Sequence, residues 1–118
     1  MTLSQLALTL ATVFAIACGQ VLFKLGALAS NAAGESAGLV ERYGNAYLLA
    51  ALVLYAGATA LWVYVLKTVP LGIAYPFMGL AFVIVPVLAS IFLGEPLTWR
   101  PIAGGLAIAA GIWIAQAQ

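Results

Sequence analysis

The sequence predicts an all-α membrane protein: a bundle of four transmembrane helices in one domain spanning residues 1–118. Two observations predict it. The chain is 66% hydrophobic and only 6% charged, with a mean hydropathy of +1.18, more apolar surface than a soluble domain of this length can bury. The apolar residues also form four continuous runs, without the alternation of a barrel strand, and continuous runs cross a bilayer as helices.

The first helix is expected over residues 3–28. Its N-terminus, Met1-Thr2-Leu3-Ser4-Gln5, lacks the basic start of a signal peptide, and the run is too long for one, so the segment is expected to stay attached as a span. The second helix is expected over residues 45–66, with 22 uncharged residues, and the third over 71–93, with 23. The fourth, over 101–116, has 16 residues and is short for a core that needs about 20. Between them, Asn31 to Gly38 reads as a solvent loop, and Leu39 to Tyr43 as an interfacial turn. Lys67-Thr68-Val69-Pro70 reads as a tight turn, because the residue before proline disfavours the helical conformation. Pro101 suits the first turn of the fourth helix, with Thr98 as a candidate N-cap. Arg42 and Arg100 on one side, with Lys24 if it surfaces, against Lys67 on the other lean towards both termini outside by the positive-inside rule, a bias of one or two charges that a chain inserting both ways would also show.

Composition excludes several functions. A net charge of +1 provides no footprint for nucleic acid. One cysteine, Cys18, rules out an internal disulfide, and the absence of histidine removes the commonest metal ligand and general base. Only three carboxylates are present, Glu35, Glu41 and Glu95. Neither an enzyme, a metal site nor a cofactor is expected.

Lys24 interrupts the first run, and Gln20 lies one turn earlier on the same helix face. An ammonium in the hydrocarbon layer costs several kcal/mol unless it meets a partner or water. The pair suits an anionic ligand; the plainer reading is that Lys24 ends the span and snorkels to the headgroups. Pro76 and Pro86 interrupt the third run, where each removes a backbone hydrogen bond, giving either a static bend or a hinge beside a cavity. Tyr75 puts a hydroxyl beside Pro76. Trp62, Tyr64, Trp99 and Tyr47 read as interfacial belts, Tyr64 with a further chance of ligand contact. In the fourth run, Gly105 and Ala109, and Ala107 and Gly111, form small-xxx-small pairs that allow close backbone approach. We expect that face, centred on Gly105 and Gly111, to meet a second chain; packing within the chain is the alternative.

Gly72-Ile73-Ala74-Tyr75-Pro76 after Val69-Pro70 resembles the third-helix motif of the small multidrug resistance and drug/metabolite transporter superfamily. Leu93-Gly94-Glu95-Pro96-Leu97 before a glycine-rich fourth helix is similar to the end of an EamA-type repeat, and Gly19-Gln20 with Lys24 looks most like the ArnE and ArnF subunits. The likeness covers essentially the whole chain. It implies a four-helix bundle of the small multidrug resistance/EamA type in the bacterial cytoplasmic membrane. It also implies a flippase subunit for an undecaprenyl phosphate-linked sugar, working as a homodimer or with a second four-helix subunit. Lys24 would then attract the phosphate, Gln20 would add hydrogen bonds, and Tyr75 and Tyr64 would face the headgroup. One departure bears on the alternatives. Multidrug exporters of the superfamily carry a carboxylate about two turns before Lys24, where this chain has Val13-Phe14-Ala15-Ile16-Ala17. Without that acid, export of cations or drugs loses its chemistry. An accessory structural subunit is the third reading.

Overall fold

The computed structural model describes residues 1–34, 38–39 and 43–116. Helix α1 is Leu3–Ala33, α2 is Ala46–Leu66, and α3 is the short turn Leu71–Ala74. A 3-10 segment, Tyr75–Leu80, leads into α4, Ala81–Leu93, and α5 is Trp99–Gln116. The fold is all-α. Three of its rods are long and apolar enough to cross a membrane: α1, α2, and the composite rod Leu71–Leu93. α5 has 18 residues and falls short of that measure.

α1 starts in a capping box. The Thr2 hydroxyl accepts from the Gln5 N–H at 3.1 Å, while the Thr2 N–H donates to the Gln5 side chain at 2.8 Å. Contrary to the expected end at Leu28, the helix runs on to Ala33 and stops at Gly34, whose φ of 87° breaks it. Asn31, Ala32 and Ala33 therefore belong to the helix and not to the loop. A polar composition does not stop a helix; a residue that leaves the helical region does. The rest of that loop and the expected interfacial turn include Glu35, Ser36, Ala37, Val40, Glu41 and Arg42, which lie outside the described residues.

Asn45 caps α2, accepting from the Leu48 N–H at 3.0 Å and donating to the Gly26 carbonyl at 3.2 Å. That second bond pins the start of α2 to α1, and Gln5 closes the other end by donating to the Thr68 hydroxyl at 2.9 Å. α1 and α2 are thus antiparallel along their whole overlap. The third rod runs parallel to α1. Its start packs Phe77 against Val13, beside Ile112 of the last helix, while its end meets Gln20, Val21 and Lys24. α5 returns antiparallel and is tied down where Gln116 donates to the Ile73 carbonyl at 2.7 Å.

The helices stand in a row, in the order α2, α1, third rod, α5. The extents are 55 × 35 × 18 Å, and the smallest is less than two helix diameters of about 10–12 Å. The core is correspondingly thin: Val13, Ala17 and Val21 of α1 are buried, whereas only 11% of the most apolar window of the third rod is. Pro76 opens the 3-10 segment, as its missing amide predicts. Pro86 stays inside α4 and removes the donor that would reach the Phe82 carbonyl. That carbonyl lies against Gly105, where an added Cβ would sit 3.4 Å from it and 2.7 Å from Val83.

Gly105 therefore corrects an expectation. It is buried within the chain, where it lets α5 approach α4, the intramolecular packing that was the alternative. Gly111 is different: nothing lies within 4 Å of an added Cβ, and with Gly104 it faces outward.

Candidate functional site

The candidate site is a groove between α1 and α4. Its floor is the face carrying Ile16, Gln20 and Lys24, spaced four residues apart so that they stack along one side of the helix. The deeper part, about 330 Å³, is walled by Ala81, Phe82, Val85 and Pro86. The outer part, about 240 Å³, adds Lys24, Ala89, Leu93 and Glu95. Gln20 and Val85 line both parts, so the groove is continuous. Across α1, on the opposite face of the row, a third hollow of about 290 Å³ between Cys18, Leu22, Leu25, Leu88 and Phe92 exposes no polar surface.

The register of α1 against α2 fixes the depth of the site. α2 has 21 residues, about 30 Å of helix, which matches a hydrocarbon core of about 30 Å. Its N-cap, Asn45, is bonded to Gly26 and marks the boundary of that layer. Lys24 is two residues below Gly26, about 3 Å at 1.5 Å per residue. Lys24 is exposed, and with Asn45 at the boundary its ammonium would reach headgroup level on its own stem. Gln20 lies one turn deeper, where an amide does need a partner. It has one: its Nε2 donates to the Tyr55 hydroxyl.

Tyr55 was not among the expected site residues. Its ring lies against Gly19, where an added Cβ would sit 2.5 Å from Cε2, and packs edge-on to Phe23 with centroids 5.2 Å apart. The signal in the sequence is a tyrosine in the middle of the second apolar run. Glu95 is the other residue that sequence reasoning left out of the site. It borders the same cavity as Lys24 without forming an ion pair, among the described residues.

The structure brings Gln20 and Lys24 together and sets Tyr64 and Tyr75 apart from them. Tyr64 shares a hollow of about 320 Å³ with Ser4, Gln5, Leu8, Lys67 and Thr68, at the other end of α1. Lys67 Nζ lies 5.8 Å from the centre of its ring. Tyr75 is exposed beside Ala74, which packs in the cluster containing Leu8. Leu8 and Lys24 are 16 residues apart, about 24 Å along the helix. The two tyrosines thus lie at the opposite end of the bundle from Lys24. Of the residues expected as hinges, Pro86 lines the groove and Pro76 does not.

No protein-family model and no solved structure matches the chain. Among curated proteins, it is 40% identical over 94 residues, 80% of each chain, to the probable 4-amino-4-deoxy-L-arabinose-phosphoundecaprenol flippase subunit ArnE of Sodalis glossinidius. The ArnE subunit of Pseudomonas paraeruginosa is 34% identical over 106 residues, 90% of this chain and 91% of its own. A shorter match, 34% over 65 residues, joins it to the ArnF subunit of Proteus mirabilis. With identity sustained over four-fifths or more of two full-length relatives, the chain belongs to the ArnE family of flippase subunits.

Proposed function

We propose that this chain is one subunit of a flippase that carries an anionic lipid-linked sugar, such as an undecaprenyl phosphate glycoside, across the cytoplasmic membrane. It is a multi-pass protein of the bacterial inner membrane and a transport component, not an enzyme. The observation that carries the reading is the groove that brings Gln20 and exposed Lys24 together, in a chain whose relatives bear the name of a phosphoundecaprenol flippase.

In this reading Lys24 receives the phosphate where lipid phosphates lie, and Gln20, held by Tyr55, offers hydrogen bonds one turn further in. The polyprenyl tail stays in lipid. Tyr64 and Tyr75 serve the headgroup at the far boundary, and the Pro76–Pro86 stretch of the third rod flanks the passage. The fourth helix completes a bundle of the small multidrug resistance/EamA type. A homodimer, or a heterodimer with a second four-helix subunit, forms the working unit. Support for a partner comes from the thin row and from the outward Gly104 and Gly111.

An accessory subunit is the second reading, favoured by one observation: Lys24 is exposed near the boundary, where an ammonium can simply snorkel. Reconstitution with the second subunit in liposomes separates the two. With a short-chain prenyl phosphodiester of an aminopentose as probe, Lys24→Met abolishes translocation if Lys24 holds the phosphate. Translocation at the parent rate would assign Lys24 to anchoring.

A further inference from the structure

The outer part of the groove carries two opposite charges that do not meet. Glu95 is placed by the end of α4: Gly94 takes φ 68°, and the N–H groups of Gly94 and Glu95 both turn back to the Ala89 carbonyl. Ala89 is itself buried and lines the cavity, so the turn folds Glu95 over it. The last carbonyls of α4 add negative potential at the same point, and no basic residue in its last turn offsets them. Lys24 lines the same hollow and supplies the positive charge, with Val21, Val85 and Leu93 as its apolar lining.

A ligand with only a phosphate would be attracted by one wall and repelled by the other. A ligand that carries both a phosphate and an ammonium satisfies both. We propose that Glu95 and the α4 C-terminus form a subsite for the ammonium of such a ligand. The inference deepens the reading of Lys24 as the phosphate's partner and rests on it for the anionic half. Two lipid chemistries carry this charge pair, an aminosugar phosphodiester and phosphatidylethanolamine.

The test measures binding to the purified full-length chain in nanodiscs of phosphatidylglycerol. The probes are a short-chain prenyl phosphodiester of 4-amino-4-deoxyarabinose and the same compound with a hydroxyl in place of the amine. The parent should prefer the amine at least fivefold. Glu95→Gln should erase that preference while leaving the hydroxyl compound's affinity within twofold, and Glu95→Asp, a check against misfolding, should keep part of it. Lys24→Met should weaken both probes in parallel. A parent without preference, or a Glu95→Gln variant that keeps it, would overturn the ammonium subsite. Unchanged binding in Lys24→Met, with the preference lost in Glu95→Gln, overturns the Lys24 reading alone and supports the subsite. Nanodiscs containing phosphatidylethanolamine identify the source: strong competition assigns the subsite to that lipid, and weak competition to the aminosugar.

Discussion

The ring of Tyr55 rests on the backbone of Gly19, with Cδ2 only 2.7 Å from where a Cβ would project. One glycine therefore sets how closely α1 and α2 approach, and the same contact brings the Tyr55 hydroxyl to Gln20. Gly19→Ala should destabilise the chain by about 1–3 kcal/mol, the usual cost of overpacking. Reversible unfolding in mixed micelles measures it; an unchanged midpoint would mean the two helices do not meet there.

The Gln20–Tyr55 bond has a modest expected worth. Interhelical polar pairs in membranes average about 0.6 kcal/mol, with a maximum near 1.7. A double-mutant cycle of Gln20→Leu and Tyr55→Phe should return a coupling in that range. A coupling of zero would leave the bond without energetic standing and remove the reason for Gln20's fixed orientation.

Lys24→Met keeps the approximate stem and removes the charge. Because Lys24 is exposed at the boundary, the variant should insert and fold like the parent. Affinity for a prenyl phosphate probe should fall at least tenfold, about 1.4 kcal/mol. Lys24→Arg should retain part of the binding, since a planar fork replaces a point charge. Titration in nanodiscs decides between loss and retention.

Leucine at Gly105 and at Gly111 should produce different defects. At Gly105 the side chain meets Val83 and the Phe82 carbonyl inside the chain, so stability should drop by several kcal/mol, beyond the ~1–3 of ordinary overpacking. At Gly111 it meets nothing in the chain, so stability should hold while subunit association weakens if that face docks a partner. Unfolding curves and size-exclusion profiles of the two variants, run side by side, test the contrast.

The long rods were legible in the sequence because twenty or so apolar residues without a charge have few other uses. Gln20 and Lys24 were legible for the same reason, as polar groups where polarity is costly. The grouping of Tyr64 and Tyr75 with them was not, since hydropathy assigns residues to spans and says nothing of depth. A geometric rule was nonetheless available: alternate spans run the same way, so Tyr75, early in the third rod, shares a level with the start of α1 and not with Lys24. Gly105 could not be told from Gly111 by composition. Six residues apart, they point to different sides of one helix, and only the position of α4 makes one inward.

A row one helix deep has no inside. Each face of α1 that bears chemistry also borders whatever stands opposite, so the route for a headgroup is closed on this side by the chain and on the other by something else. Specificity then belongs jointly to two surfaces, and a change at Gln20 or Lys24 is best compensated by a change in the facing chain. Selection for restored transport in a Lys24 variant should accordingly yield second-site substitutions in the companion subunit as readily as in this one.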